Sequence, residues 1–285
     1  MAKEAESYGI LGKRTPIGWI VSTVFLAALA VTALFPFFYM VSISLMKTFE
    51  MFEIPVRLWP RVPQFSNYIH ALTAYPFGRF FLNSSIESIG VLCGRLLIAS
   101  LAGYGFSRMK FPGRNQLFLL MIATMMIPAT ITLVPAYIML TSLHWVDTYL
   151  ALTVPLLNYP WGVFFIRQYM MTLPENLEEA ARIDGANEFA IFSKVFLPLS
   201  KPVLLVVGLL SFAGTWTSLL WELIVTRSLM MRTVSVGVSM FIYQYGADYT
   251  FQMAAATVAT IPVLLVFFFG QRYFMKGITL AGVFK

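Results

Sequence analysis

Six mostly apolar stretches divide this sequence, near 17–43, 84–107, 115–140, 148–170, 202–225 and 252–274. Crossing a hydrocarbon layer as a helix takes ~20 residues, and a helix lets one stretch satisfy its own backbone hydrogen bonds there. The chain therefore reads as all-α and integral to a membrane, with six transmembrane helices in one domain over 1–285. Composition agrees, with 12% charged residues and a mean hydropathy of +0.76, against roughly 25% charged in soluble domains. Glu87 and Arg95 interrupt the second stretch. Pro128, Pro135, Pro155 and Pro160 break the third and fourth, which is tolerated where neighbouring helices take up the freed carbonyls. The first run is too long for a cleavable leader and reads as a retained span.

The net charge of +7 is not a nucleic-acid signal, because the basic residues sit in short clusters beside apolar runs. With six spans, both termini share a side with the loops after the second and fourth stretches. That side carries Lys3, Lys13, Arg14, Arg108, Lys110, Arg114, Arg167, Arg182, Lys194, Lys201, Arg272, Lys276 and Lys285. The other side holds only Lys47, Arg57, Arg61, Arg79, Arg227 and Arg232. Positive charge stays cytoplasmic, so the termini and the loop 172–200 are expected inside. The segments 44–83 and 226–251 are then outside.

Catalytic chemistry is absent from the pattern. The lone Cys93 allows no disulfide framework, and His70 and His144 fall in separate outer loops. There is no G-x-x-x-x-G-K-[ST] phosphate loop, so the chain cannot hydrolyse ATP. No enzyme activity, metal or cofactor is expected of this chain.

The charged stretch "EEAARIDGANEFAIFSKVFLPL", 178–199, stands apart from its greasy surroundings. Thr172 and Glu175 have capping-box spacing, with Pro174 suited to a first turn. Glu178 and Arg182 are four apart and able to pair. Leu177, Ala180, Ala181 and Asp184 share the other face, and Gly185 suits a helix stop. Phe189, Phe192 and Phe196 form a stripe leading to Leu197 and Pro198. Taken alone, this is a solvated amphipathic loop.

"EAARIDGA" followed by "VFLPL" resembles the EAA loop of permease subunits in binding-protein-dependent ABC importers. "PFFYMVSISLMK" (36–47), "FFLNSSI" (80–86), "LAGYGFSRMKFPGR" (101–114), "PATITLVPAYIML" (128–140) and "GITLAGVFK" (277–285) extend the resemblance over nearly the whole chain. They look like the second permease subunit of carbohydrate importers of the maltose-transporter type. The resemblance implies a coupling helix that docks on a cytoplasmic ATPase subunit. In that reading Glu179 and Gly185 dock, Ala180 and Ala181 form the close-packed surface, Asp184 is a polar contact, and Leu197 and Pro198 complete the motif. It also implies a homologous second permease, two ATP-binding cassette subunits that hold ATP and Mg, an extracytoplasmic solute-binding protein, and a bacterial or archaeal cytoplasmic membrane. "MTLPENLEEAARIDGA" with "FPGRNQLF" is similar to the glycerol-phosphate permease of the same superfamily, so a phosphorylated polyol is the alternative substrate.

Charges at membrane depth are functional candidates. Glu87 and Arg95 are eight apart and share a helix face, either as pathway residues or as an ion pair. In "GTWTSLLWELIV", 214–225, Trp216, Thr217, Leu220 and Glu222 mix aromatic and polar groups in the way a sugar ring needs. Importers of this type carry a Trp-Asn or Trp-Asp followed by Pro here, and this chain does not. Asn158 and Tyr159, with Trp161, are further candidates at the proline break. An ion-coupled secondary carrier is the rival from another class, but its inverted repeats are not visible and it leaves the EAA loop unexplained.

Overall fold

The structure, a computed structural model, describes residues 16–243 and 248–283. The termini with Lys3, Lys13, Arg14 and Lys285, the end of the 277–285 motif, and the side chains of Arg272 and Lys276 lie outside the described residues. Among the described residues every regular element is helical.

Helix α1 is Pro16–Ser44. A segment with one 3-10 turn leads to α2, Ser66–Ala74. Next comes α3, Phe77–Ser107, the central element. Helices α4 (Arg114–Ala123) and α5 (Ala129–Ser142) follow, then α6 (Tyr149–Thr153) and α7 (Pro160–Met171). The insert holds α8 (Asn176–Ile183), α9 (Glu188–Ile191), a π-helical turn at Phe192–Phe196 and α10 (Leu197–Leu199). The chain then returns as α11 (Lys201–Trp216), α12 (Leu220–Val225), α13 (Val234–Tyr243) and α14 (Tyr249–Val283).

Three helices are long and apolar enough to cross a membrane unbroken: Gly18–Ser44, Phe77–Ser107 and Tyr249–Gln271. Six spans result when each bent pair counts once. The third and fourth stretches are bent at Pro128 and Pro160, while Pro135 lies inside an unbroken helix. The 115–140 stretch bends by 95° between Met126 and Ala129, where Pro128 removes a donor and holds an extended ψ. The 148–170 stretch bends by 44° at Asn158 and Tyr159, ahead of Pro160 in the first turn of α7. The 202–225 stretch stops at Trp216, and its last residues form the separate α12. The second span begins seven residues earlier than its apolar run, at Phe77, because its first turns bury Phe77 and Phe80.

Among the described residues three clusters hold the bundle, the smallest being Leu140, Ala151, Leu152 and Val225. One, at the α2 end, gathers Phe77, Phe80, Phe212, Trp216, Val234 and Phe241. Another, at the insert end, gathers Ala99, Tyr104, Ile166, Met170, Phe192 and Phe196. Helix α3 lies against α7 and α11, and α1 packs chiefly on α14. Gly103 sets the α3–α7 distance, since a Cβ there would meet Ile166 Cγ2 at 2.8 Å.

Candidate functional site

The insert begins where α7 ends. Thr172 does not cap the next helix, as its spacing with Glu175 suggested; its Oγ1 donates back to Tyr169 O at 2.7 Å. The reason lies in Arg108, whose Nη2 donates to the carbonyls of Met170 and, at 2.5 Å, Leu173. A cation at these last carbonyls satisfies the C-terminal end of α7 and fixes where the chain turns. The same guanidinium lies 4.7 Å over the Phe196 ring, so it clasps both ends of the insert.

Helix α8 then runs until Gly185, which adopts φ +80°. Gly185 N donates to Arg182 O at 3.0 Å and Ala186 N to Ala181 O at 2.9 Å, the paired bonds of a Schellman stop. Asn187 caps α9 by accepting from Ala190 N at 2.8 Å. Arg182 binds Glu178 at 2.8 Å and Glu188 at 2.5 Å. The Glu178 hydrogen bond, followed by the field of Glu188, holds the Arg182 guanidinium above its ordinary pKa. Glu188 also accepts from Tyr104 Oη of α3 at 3.0 Å. Beside this chain of polar contacts lies a cavity of about 690 Å³, lined by Arg108, Lys110, Arg114, Glu175, Glu178 and Glu179 among others.

The docking residues read from sequence fall as follows. Glu179, Ala180, Asp184, Gly185 and Pro198 are exposed; Ala181 and Leu197 are half-buried against the insert-end core. The Phe stripe is divided: Phe192 and Phe196 are buried, whereas Phe189 is 71% exposed. The π turn widens the helix there and changes its register. Two residues were missed. Ile183, 85% exposed, and Phe189 offer large apolar side chains to whatever covers α8. The signal was present in Ile183, an apolar residue among the four charges of 178–184.

At membrane depth the residues separate into two groups. Arg95 is half-buried at the α6–α7 break. Its Nε donates to Leu156 O at 2.6 Å, and its Nη1 to Ser211 Oγ at 3.1 Å and Thr215 Oγ1 at 3.4 Å. The guanidinium also lies 4.5 Å over the Tyr159 ring, and Asn158 beside it is exposed. Glu87 does not pair with Arg95; its carboxyl meets that of Glu222, both groups being buried. Ser218 Oγ donates to Glu222 Oε2 at 2.8 Å. Neither Glu87 Oε1 nor Glu222 Oε1 has a hydrogen-bond partner.

Trp216 is a core residue, 5% exposed. Its Nε1 is spent on Ala259 O at 2.9 Å, and its ring stacks on Phe212. Thr217 and Leu220, next to the α11–α12 break, are exposed. Among the described residues no three His, Cys, Asp or Glu side chains are grouped to hold a metal ion.

Residues 95–280 match the family described as binding-protein-dependent transport system inner membrane component. The arabinooligosaccharides transport system permease protein AraQ of Bacillus subtilis (strain 168) is 34% identical over 267 residues, 93% of this chain and 95% of its own. The sn-glycerol-3-phosphate transport system permease protein UgpE of Yersinia pestis is 32% identical over 253 residues, 86% of this chain and 90% of its own. A chain of a bacterial ABC transporter involved in the import of the acidic polysaccharide alginate superposes with a TM-score of 0.76 at 24% identity, over 93% of this chain and 99% of that one, and so shares the fold. The bent-helix bundle and its polar insert are thus those of a multi-pass permease subunit, and the chain belongs to the family of inner-membrane components of binding-protein-dependent transport systems.

Proposed function

We propose that this chain forms half of the pathway of an ATP-driven carbohydrate importer, with its insert as the joint to an ATPase. The carrying observation is the insert itself. Helix α8 ends in a glycine stop, presents Ile183 and Phe189 outward, and is tied to α3 through Glu188 and Tyr104. A short helix with an exposed apolar tip and rigid roots suits a ball in a partner's cleft. Glu179, Ala180, Asp184 and Gly185 on its surface are the proposed docking residues, with Ala181, Leu197 and Pro198 supporting them.

ATP and Mg belong to two ATPase subunits on the insert side, which the basic residues mark as cytoplasmic, with both termini there. A homologous permease completes the pathway, and a solute-binding protein delivers substrate to the far side. Closure of the ATPases draws the coupling helices together and opens the cavity outward.

Arg95 favours a neutral sugar over a phosphorylated polyol. It is committed to Leu156 O, Ser211 and Thr215 rather than held free for an anion. Arabinooligosaccharide and glycerol-phosphate permeases among the relatives frame that choice. Asn158, Tyr159, Thr217 and Leu220 are the proposed lining near the breaks, with Glu87, Glu222 and Trp216 behind them.

The test is co-purification from native membranes, comparing wild type with Glu179→Ala plus Gly185→Asp. Wild type should bring a P-loop ATPase, a second permease and a solute-binding protein whose ligand is a sugar, and the double variant should lose the ATPase. A chain that emerges alone, or a variant that keeps ATP-coupled uptake, sinks the reading.

A further inference from the structure

Residues 47–65, between α1 and α2, lie outside every span yet are unusually greasy. Phe52, Ile54, Val56, Val62 and Phe65 are each more than 60% exposed, Ile54 as much as 95%. Soluble surfaces seldom leave so many large apolar side chains in water within so short a segment.

The segment also doubles back. Gln64 N donates to Leu45 O at 2.8 Å, and Ser42 Oγ donates to Leu58 O at 2.6 Å. The Trp59 ring stacks on Phe38, with centroids 5.9 Å apart and planes 17° off parallel. Phe38 lies six residues inside the end of α1 at Ser44, roughly 9 Å back along the helix axis. The returning chain therefore descends beside the span, level with residues whose side chains are themselves exposed along α1, such as Phe35.

Its charges suit the same depth. Glu53 binds Arg57 at 2.5 Å and Arg61 at 2.9 Å, leaving one positive charge in excess on the cluster. Apolar side chains, a Trp, and a surplus arginine with a long apolar stem are what the headgroup–acyl boundary accepts.

We propose that residues 47–65 form a collar embedded in the membrane–water boundary on the side opposite the insert, with lipid as its partner. The apolar residues enter the acyl region and the Arg57–Glu53–Arg61 cluster meets lipid phosphates. The collar holds that end of α1 at a fixed depth. It also removes this part of 44–83 from the surface open to a solute-binding protein, leaving α2 and the later loops. The inference needs only the membrane setting and stands apart from the substrate and the ATPase.

The test uses the assembled importer in phosphatidylethanolamine–phosphatidylglycerol vesicles. Cys93, which is exposed, is replaced by Ser. Nitroxide labels are then placed at Ile54→Cys and Phe65→Cys, with Leu29→Cys in α1 as a span reference. Collisions with dissolved oxygen should dominate over those with an aqueous nickel complex at both sites, as at Leu29. A preference for nickel, or shielding from both reagents by a covering protein, overturns the proposal. If a labelled chain fails to assemble, wild type and Trp59→Phe are compared by quenching with brominated lipid. The quenched fraction should fall in the variant, and an unchanged fraction overturns the proposal equally.

Discussion

Tyr104 Oη donates to Glu188 Oε2 across 3.0 Å, joining the longest unbroken span of the bundle core to the insert 84 residues further on. Glu188 passes the contact to Arg182 and so to Glu178. On the proposed reading, displacement of α8 by an ATPase would be delivered to α3 through these side chains. A hydrogen bond to a charged group contributes ~1.5–3 kcal/mol when well formed, less where solvent competes. Tyr104→Phe keeps the ring that packs on Phe192 and Phe196. It should leave assembly intact while uptake per ATP hydrolysed falls roughly fivefold, corresponding to ~1 kcal/mol of lost coupling. Uptake and hydrolysis measured together in vesicles decide it, and an unchanged ratio removes Tyr104 from the coupling path.

Glu87 and Glu222 make a second prediction, on stability. Glu87→Gln supplies its own N–H donor to Glu222 and should unfold close to wild type. Glu87→Ala leaves a buried carboxyl unsatisfied beside a cavity and should cost ~2 kcal/mol or more. Thermal unfolding in detergent distinguishes the two. Equal losses would mean that a donor between the two side chains contributes nothing.

Asp147 sets the joint between two loops far from the insert. Its Oδ1 accepts from the backbone N–H groups of Arg227 at 2.8 Å and Ser228 at 3.0 Å, and its φ of 65° suits few residues other than Asp and Asn. Partial burial pushes the carboxyl up, but the hydrogen bonds from Ser228 and the two backbone groups outweigh it and hold the pKa below its ordinary value. A depressed folded pKa contributes stability that is present above the unfolded value, near 4, and is lost as the pH falls through the folded one. Asp147→Asn should keep the loops joined and flatten the stability profile below about pH 4. A profile as steep as wild type would place the titrating group elsewhere.

Gly103 yields the sharpest packing prediction. Any Cβ there meets Ile166 and lies 3.2 Å from the Arg167 backbone nitrogen, so α3 and α7 must part. Gly103→Val should destabilise by ~1–3 kcal/mol through overpacking, and Ile166→Ala in the same chain should recover part of the loss. Melting temperatures of the single and double variants test this; strict additivity would contradict the contact.

The six-span, all-helical architecture was legible because length and apolarity alone force it, and the insert was legible because charge is costly anywhere else in such a chain. The sizes of the breaks were not legible. Pro128 and Pro160 were visible, but a proline marks where a helix breaks and not that the bends measure 95° and 44°. The stop at Trp216 was hidden because Thr217, Ser218 and Leu219 are as compatible with a helix as with its end. Partner choice was equally hidden. Glu87 and Arg95 share a helix face, yet each answers to a different helix, at Glu222 and at Leu156, Ser211 and Thr215. In the insert, Phe189, Phe192 and Phe196 read as one stripe until the π turn separated them.

Helix α1, whose apolar window is 0% buried, packs chiefly on α14, whose first residue follows Ser44 by more than two hundred positions. During synthesis α1 enters the bilayer long before α14, its main helical neighbour, is made. At ~5–20 residues per second that wait is on the order of ten seconds or longer. In that interval most of the nascent helix faces lipid, so its own greasiness must keep it inserted. That accounts for a span with no Asp, Glu, Lys, Arg or His between Gly18 and Ser44, where α3, which gains neighbours on several sides, carries Glu87 and Arg95.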